Sequence, residues 1–248
     1  RWSGFYGGGL IGEEFDGADF RNIGQSEITT ISGLSSIFDG IPLTNFPRLN
    51  SLNTNTPSYS AFAGYNYQFE AAVVGLEFDF TKTAFNASIN DVESHSYFTT
   101  VNNTIYDTAY TVTTGASAKV NDSASLRGRL GWAYGSFLPY GFAGVSVAQI
   151  DATKFVNVTV CGEETPYDCT NPPPPSNPPP PARVGGTWTI ADQVTGKWYF
   201  GYVAGFGLDY ALTQNIFLRG ELEYTQYAAP FNIRLSATSV HIGAGLKF

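Results

Sequence analysis

Ten ionisable side chains stand at strand-like spacings in this sequence: Glu77 and Asp79, Arg127 and Arg129, Asp209, Arg219, Glu221, Glu223, His241 and Lys247. Residues two apart in an extended chain project to the same side, so each pair shares a face. Three kinds of chemistry fit such a set. The acidic pair Glu221 and Glu223 could exchange protons in acid/base catalysis. The whole set could form a gate or proton path. Or acids and bases could neutralise one another, and the near-balance of sign favours this, because unpaired buried charge is very costly. Nucleophilic catalysis has little to draw on: the two histidines are His95 and His241, with no Gly-x-Ser-x-Gly or His-Glu-x-x-His pattern. Gly7-Gly-Gly-Leu-Ile-Gly12 matches a dinucleotide fingerprint letter for letter. It lacks a β-α-β setting, and glycine in a tightly curved sheet explains it better.

The elements that position these charges alternate with period two. Leu76, Phe78 and Phe80 oppose Glu77 and Asp79; Leu126, Leu130 and Trp132 oppose Arg127 and Arg129. Trp198, Phe200, Tyr202, Phe206, Leu208 and Tyr210 oppose Tyr199, three glycines and Asp209. Leu218, Leu222 and Tyr224 oppose Arg219, Glu221 and Glu223, and Val240, Ile242, Ala244, Leu246 and Phe248 oppose His241 and Lys247. Tyr59, Tyr65 and Tyr67 oppose Ser60, Asn66 and Gln68. Eight such stretches are expected, at about 2–15, 58–68, 73–85, 117–134, 139–154, 197–212, 216–227 and 236–248, the first and fifth too glycine-rich to orient. Short connectors near Phe69–Ala72, Gly135–Leu138 and Thr213–Asn215 alternate with long polar loops through Asp16–Pro57, Asn86–Thr114, Phe155–Gly196 and Ala228–Leu235. No window holds the roughly 18 apolar residues of a membrane helix. Long and short connections, an oily flank and aromatics near strand ends predict an all-β, eight-stranded, antiparallel up-and-down transmembrane barrel, a single domain over 1–248. Barrels of that size have interiors that side chains fill. The ten charges then form a lumen network that plugs the barrel. A soluble sandwich would turn polar faces rich in glycine and poor in charge toward water, a weak solvent surface.

Composition agrees. Charged residues are 14%, aromatics 15%, and there are 27 glycines and 14 prolines. A net charge of −8 argues against nucleic acid as a partner. Methionine is absent, position 1 included, which reads as a secreted chain with its signal peptide removed or as a trimmed chain. Cys161 and Cys169 suit one short-loop disulfide in an oxidising compartment. Neither a cofactor nor a metal centre is expected. The scattered acids Asp16, Asp19, Asp107, Glu163, Glu164 and Asp168 lack calcium-loop spacing but could gather divalent cations at a lipopolysaccharide-bearing surface. The run from Asn171 to Pro181 favours a stiff polyproline arch.

Several stretches resemble a known family. Trp2-Ser-Gly-Phe-Tyr-Gly-Gly, Val74-Gly-Leu-Glu-Phe-Asp-Phe80, Ser125-Leu-Arg-Gly-Arg-Leu-Gly-Trp132, Phe137-Leu-Pro-Tyr140 and Gly243-Ala-Gly-Leu-Lys-Phe248 look like small alphaproteobacterial outer-membrane barrels. That group holds surface antigens and haemin-binding proteins and is similar in architecture to the OmpA transmembrane domain. The resemblance implies a bacterial outer-membrane location, periplasmic turns, exposed loops and contact with outer-membrane lipids and lipopolysaccharide. It also implies that Phe248 serves as a signal to the barrel-assembly machinery. Family members have been linked to envelope integrity, host contact, haemin binding and porin activity. The reading is therefore a structural, surface-presenting barrel without catalysis; the alternatives are a small-solute porin or a surface adhesin or haemin-binding protein whose ligand is unknown.

Overall fold

The computed structural model describes residues 2–34, 38, 43, 48–101, 103–164 and 183–248. Among them, nine strands run in chain order: β1 Gly4–Asp19, β2 Ser51–Phe69, β3 Ala72–Thr83, β4 Asn86–Val101, β5 Thr104–Trp132, β6 Phe137–Glu164, β7 Arg183–Ala211, β8 Ile216–Ala228 and β9 Arg234–Lys247. One helix, α1, covers Gln25–Ser32. The sheet order is β3-β2-β1-β9-β8-β7-β6-β5-β4, and β3 also pairs with β5. That last pairing closes a ring of eight antiparallel strands and leaves β4 outside it. β5 changes neighbour part-way up: it pairs with β3 from Trp132 to Asp122 and with β4 from Lys119 to Thr104.

The alternation read from the sequence is the alternation of the wall. Leu76, Phe78, Leu130, Phe206, Leu218, Ile242 and Phe248 are exposed on the outside, while Glu77, Arg127, Asp209 and Arg219 are buried inside. An oily exterior around an ionic interior is the arrangement a lipid-embedded barrel requires. The three connections expected to be short, after β2, β5 and β7, lie together at one end. There the Phe248 N–H also donates to the Phe5 carbonyl at 2.8 Å.

At the other end the expected loops are corrected. β5, β6 and β7 are 29, 28 and 29 residues long, against 12 and 13 for β3 and β8. A spanning strand needs about 9–11 residues, so three strands rise far beyond the membrane. With β4 they make a four-stranded extension where Asn86–Thr114 and much of Phe155–Gly196 read as loops. The physical reason lies in the outer face. In β6 the buried side remains apolar through Val156, Val158 and Val160, while the outer side becomes Asn157 and Thr159. Oily flanks mark strands only where lipid surrounds them. Two register shifts, between Val120 and Ser123 and between Ile150 and Ala152, mark the junction of barrel and extension. Asp151 pins it, accepting from the Gly196 N–H at 2.7 Å and Asn121 Nδ2 at 3.1 Å. Gly196 has a φ of 64°, the left-handed backbone that a bulge there demands.

β1 continues to Asp19 and β2 begins at Ser51, so the first long loop is shorter than expected and contains α1. Ile28 and Ile31 of α1 bury themselves against Tyr110, Val112, Val156, Val158 and Val160 on the inner face of the extension. The last expected loop shrinks to one 3-10 turn over Pro230–Asn232. The proline arch of Asn171–Pro181 lies outside the described residues.

Candidate functional site: an ionic lumen between two apolar layers

Inside the ring, the side chains stack in layers. Trp2, Tyr6, Phe62, Phe142, Val203 and Phe217 belong to an aromatic floor beside the tight turns. Above it three arginines on β5 and β8 meet acids from β3, β7 and β8. Arg127 donates Nε to Glu77 Oε1 at 2.8 Å, Nη2 to Glu221 Oε2 at 3.0 Å and Nη1 to Glu223 Oε2 at 2.6 Å. Arg129 reaches Glu77 at 3.0 Å, Asp209 at 2.8 Å and the Tyr6 hydroxyl at 2.8 Å. Arg219 grips both oxygens of Asp209, at 2.8 and 3.0 Å, and donates to Glu77 at 2.6 Å. Asp79 completes the set 3.7 Å from Arg127. The strands make this possible by register, which sets Glu77 opposite Arg127 and Asp209 opposite Arg219. Such buried ions endure only where most of their donors find acceptors, and of the guanidinium nitrogens of the three arginines Arg129 Nε is the one left without a partner.

Aromatic faces cover what the carboxylates leave. Arg129 lies 3.7 Å from the Tyr140 ring centroid, Arg219 4.0 Å from Phe62 and Arg127 4.4 Å from Phe142. Tyr140 also donates to Glu221 at 2.5 Å. Inward glycines make room for these rings. Gly207 sits opposite Tyr140, Gly205 opposite Phe142, Gly64 opposite Tyr6 and Gly245 opposite Phe217. A Cβ on any of the four would stand within 2.5 Å of the facing ring or its hydroxyl. The two strands too glycine-rich to orient thus carry Tyr6, Tyr140 and Phe142 of the network's aromatic rings.

The expected set is not uniform. His241 is buried, but its Nε2 lies 2.8 Å from Ser58 Oγ, and its ladder neighbour is Glu221. Lys247 lies at the floor, 5.4 Å from the Trp2 ring. Five acids therefore share three arginines, an acidic excess larger than the sequence implied. Sequence reasoning missed Tyr6 and Tyr140, and it put Asp16 in a loop. Asp16 and Glu14 instead point into the lumen, lining a cavity of ≈ 30 Å³ above the network with Thr83, Glu223 and Ser239. That volume is about one water molecule. Glu14 lies within the expected first strand and Asp16 one residue past it, so alternation carried just beyond that end would have found both acids. Above the cavity, Phe20, Ile23, Val120, Ile150 and Leu235 form an apolar lid.

Of the remaining predicted residues, Cys161 is disulfide-bonded, and Cys169 lies outside the described residues. Asp19 ends β1 and pairs with Arg21, Asp107 lies in β5, Glu163 and Glu164 end β6, and Asp168 lies outside the described residues. His95 contacts Glu93 at 2.7 Å on the exposed β4. Among the described residues no group of three His, Cys, Asp or Glu is placed to hold a metal ion.

A closed antiparallel ring, oily outside and ionic within, with tight turns at one end, defines a transmembrane β-barrel of the outer-membrane class. The chain belongs to the outer membrane protein beta-barrel domain family, whose model matches residues 2–248. It is 27% identical over 188 residues to the 25 kDa outer-membrane immunogenic protein of Brucella ovis, covering 76% of this chain and 62% of that one. It is 25% identical over 195 residues to the 22 kDa outer membrane protein of Rhizobium leguminosarum, covering 75% and 64%. The matches thus span less than two thirds of either relative's own length. Solved barrels with similar folds include Ail, the attachment invasion locus protein of Yersinia pestis, with the heparin analogue sucrose octasulfate (10% identity, 99% of both chains, TM-score 0.34). Neisserial surface protein A is another, at 14% identity, 99% and 98% coverage and a TM-score of 0.33.

Proposed function

We propose that this outer-membrane protein is a closed, non-catalytic barrel that anchors a rigid sheet above the membrane and presents it outward. The observation that carries this reading is the bridge from Arg127, Arg129 and Arg219 to Glu77, Glu221 and Asp209, which joins four strands across the lumen. With an aromatic floor beneath it and an apolar lid above, the described residues leave solutes no continuous polar path. The Ser58–His241 contact argues for structure rather than catalysis. Both residues are less than 5% exposed and face the lumen, where no membrane lipid reaches them. The extension supports the surface-presenting half of the reading, because α1 and the apolar inner faces of β5 and β6 hold it as a packed body. Planar-bilayer recording of the full chain tests the closed lumen. The expected trace stays at the bilayer background across applied voltage; a large, steady conductance would establish a porin instead.

A further inference from the structure

The barrel wall has a lateral notch at its outer rim. β7 and β8 pair only from Ala211 up to Gly201, opposite Tyr227; β7 then climbs on with β6 alone, while β8 turns away through Ala228. Between them lies a groove of ≈ 610 Å³ lined by Phe200, Tyr202, Gln226, Asn232, Ile233 and Arg234, among others. Its β7 side faces lipid: Phe200 is 76% exposed on the outer wall, and Tyr202, opposite Gln226, lies one rung nearer the tight turns. Its other side, from β8, the turn after it and β9, is built of donors. Gln226 accepts from Tyr202 at 2.6 Å and Tyr224 at 3.1 Å through Oε1, which turns its amide N–H groups away from those rings.

Arg234 supplies the charge. Its ladder partner is Asp19, yet Asp19 is bound by Arg21 through Nε at 2.9 Å and Nη2 at 2.6 Å. Two cations thus share one anion at this point of the rim, and among the described residues no acid lines the groove. The turn that forms its roof places both Phe231 and Asn232 at left-handed φ, 60° and 58°. This sends the Phe231 ring to Lys154, 4.9 Å away, and leaves Asn232 lining the groove.

We propose that this notch binds a phosphorylated lipid of the outer leaflet, its headgroup against Arg234, Asn232 and Gln226 and an acyl chain along Phe200 and Tyr202. The groove has the two parts such a ligand needs, side by side: an apolar flank on β7, continued toward the membrane by Tyr202, and a polar, cationic flank from β8, the turn after it and β9. The inference rests on the outer-membrane location alone and stands or falls independently of whether the lumen conducts.

Native mass spectrometry of the delipidated full chain tests it, with equal amounts of phosphatidylcholine and phosphatidylglycerol as probes. Wild type should retain the anionic lipid at least about tenfold more than the zwitterionic one. Arg234→Glu should abolish that preference, and Asn232→Gly, which keeps the turn's backbone, should reduce it. Lys82→Glu makes the same charge change on the opposite wall, where Lys82 lies 3.8 Å from Asp122, and should leave the preference within about twofold. Equal retention of both lipids, or an equal loss in Lys82→Glu, overturns the site. Arg234-dependent binding of inorganic phosphate without lipid overturns the assignment to a lipid.

Discussion

The barrel and the extension are one continuous sheet solving opposite problems. Within the membrane the wall is oily outside, so polarity is forced inward and must neutralise itself there. Above the membrane water surrounds the sheet, and the polarity inverts. The outer face becomes hydroxyls and amides, as in the pairs Ser94–Thr111 at 2.8 Å and Asn157–Thr189 at 3.2 Å. The inner face becomes valine, tyrosine and the isoleucines of α1. The crossing occurs near the two bulges, where the β5–β6 and β6–β7 ladders slip. The same strand thus runs on under two different rules for its faces. The barrel's stability should therefore be concentrated in few, strong ionic contacts, and the extension's in many weak ones.

The largest expected effect breaks the ionic side of that contrast. Arg219→Leu leaves Glu77 and Asp209 buried with too few cations. Removing one partner of a buried ion pair costs about 3–5 kcal/mol. Urea unfolding in detergent, followed by the loss of heat-dependent gel mobility, should show a shift of that order. A shift under about 1 kcal/mol would mean the lumen is held by its aromatics alone.

A smaller effect is expected from the extension's own ion pair. Lys154 binds Glu27 of α1 and Asp192 of β7, the latter at 3.2 Å. Burial by itself would raise the Glu27 carboxyl, but the Lys154 contact outweighs it and holds it below the ordinary carboxylate range. Burial would likewise lower Lys154, yet its two acids hold it above the ordinary lysine range. A depressed carboxyl stabilises above its unfolded value and loses that contribution as pH falls through its folded one. Acidification below the carboxylate range should therefore loosen α1, read as rising amide exchange across Gln25–Ser32 while the barrel strands stay protected. Lys154→Met should produce the same loosening at neutral pH, by about 1 kcal/mol or less given the partial exposure. Exchange in α1 that is independent of pH would leave Ile28 and Ile31 as its sole anchors.

How much of this was legible follows the same boundary. The ring, its eight strands and five of its acids were readable because lipid enforces an unbroken oily flank. Phe78 and Leu218 announce Glu77 and Arg219 by alternation. Tyr140 and Tyr6 stayed hidden because the aromatic-out rule fails where a ring serves an arginine inside. The extension was illegible for a different reason: Thr111-Val-Thr-Thr114 and Val156-Asn-Val-Thr-Val160 alternate perfectly well, but valine against threonine resembles neither a lipid flank nor a loop. β-branched residues on both faces were the unused signal.

The smallest expected effect is also the sharpest test of the comparison. Replacing 91–114 with Asn-Gly would close the hairpin at the Asn90–Gly115 pair with a turn suited to two residues. It removes Tyr110 and Val112 from beneath α1, so helix protection should fall to that of an unfolded peptide. Yet the ring contacts of β5 lie below Asp122, and every ion of the network lies in the ring. Distant, independent sites add, so the barrel's own unfolding should move by less than about 1 kcal/mol. A truncated chain that fails to form a heat-modifiable barrel would show that the two halves share one cooperative unit. The bulges pinned by Asp151 would then be joints that transmit stability rather than boundaries that separate it.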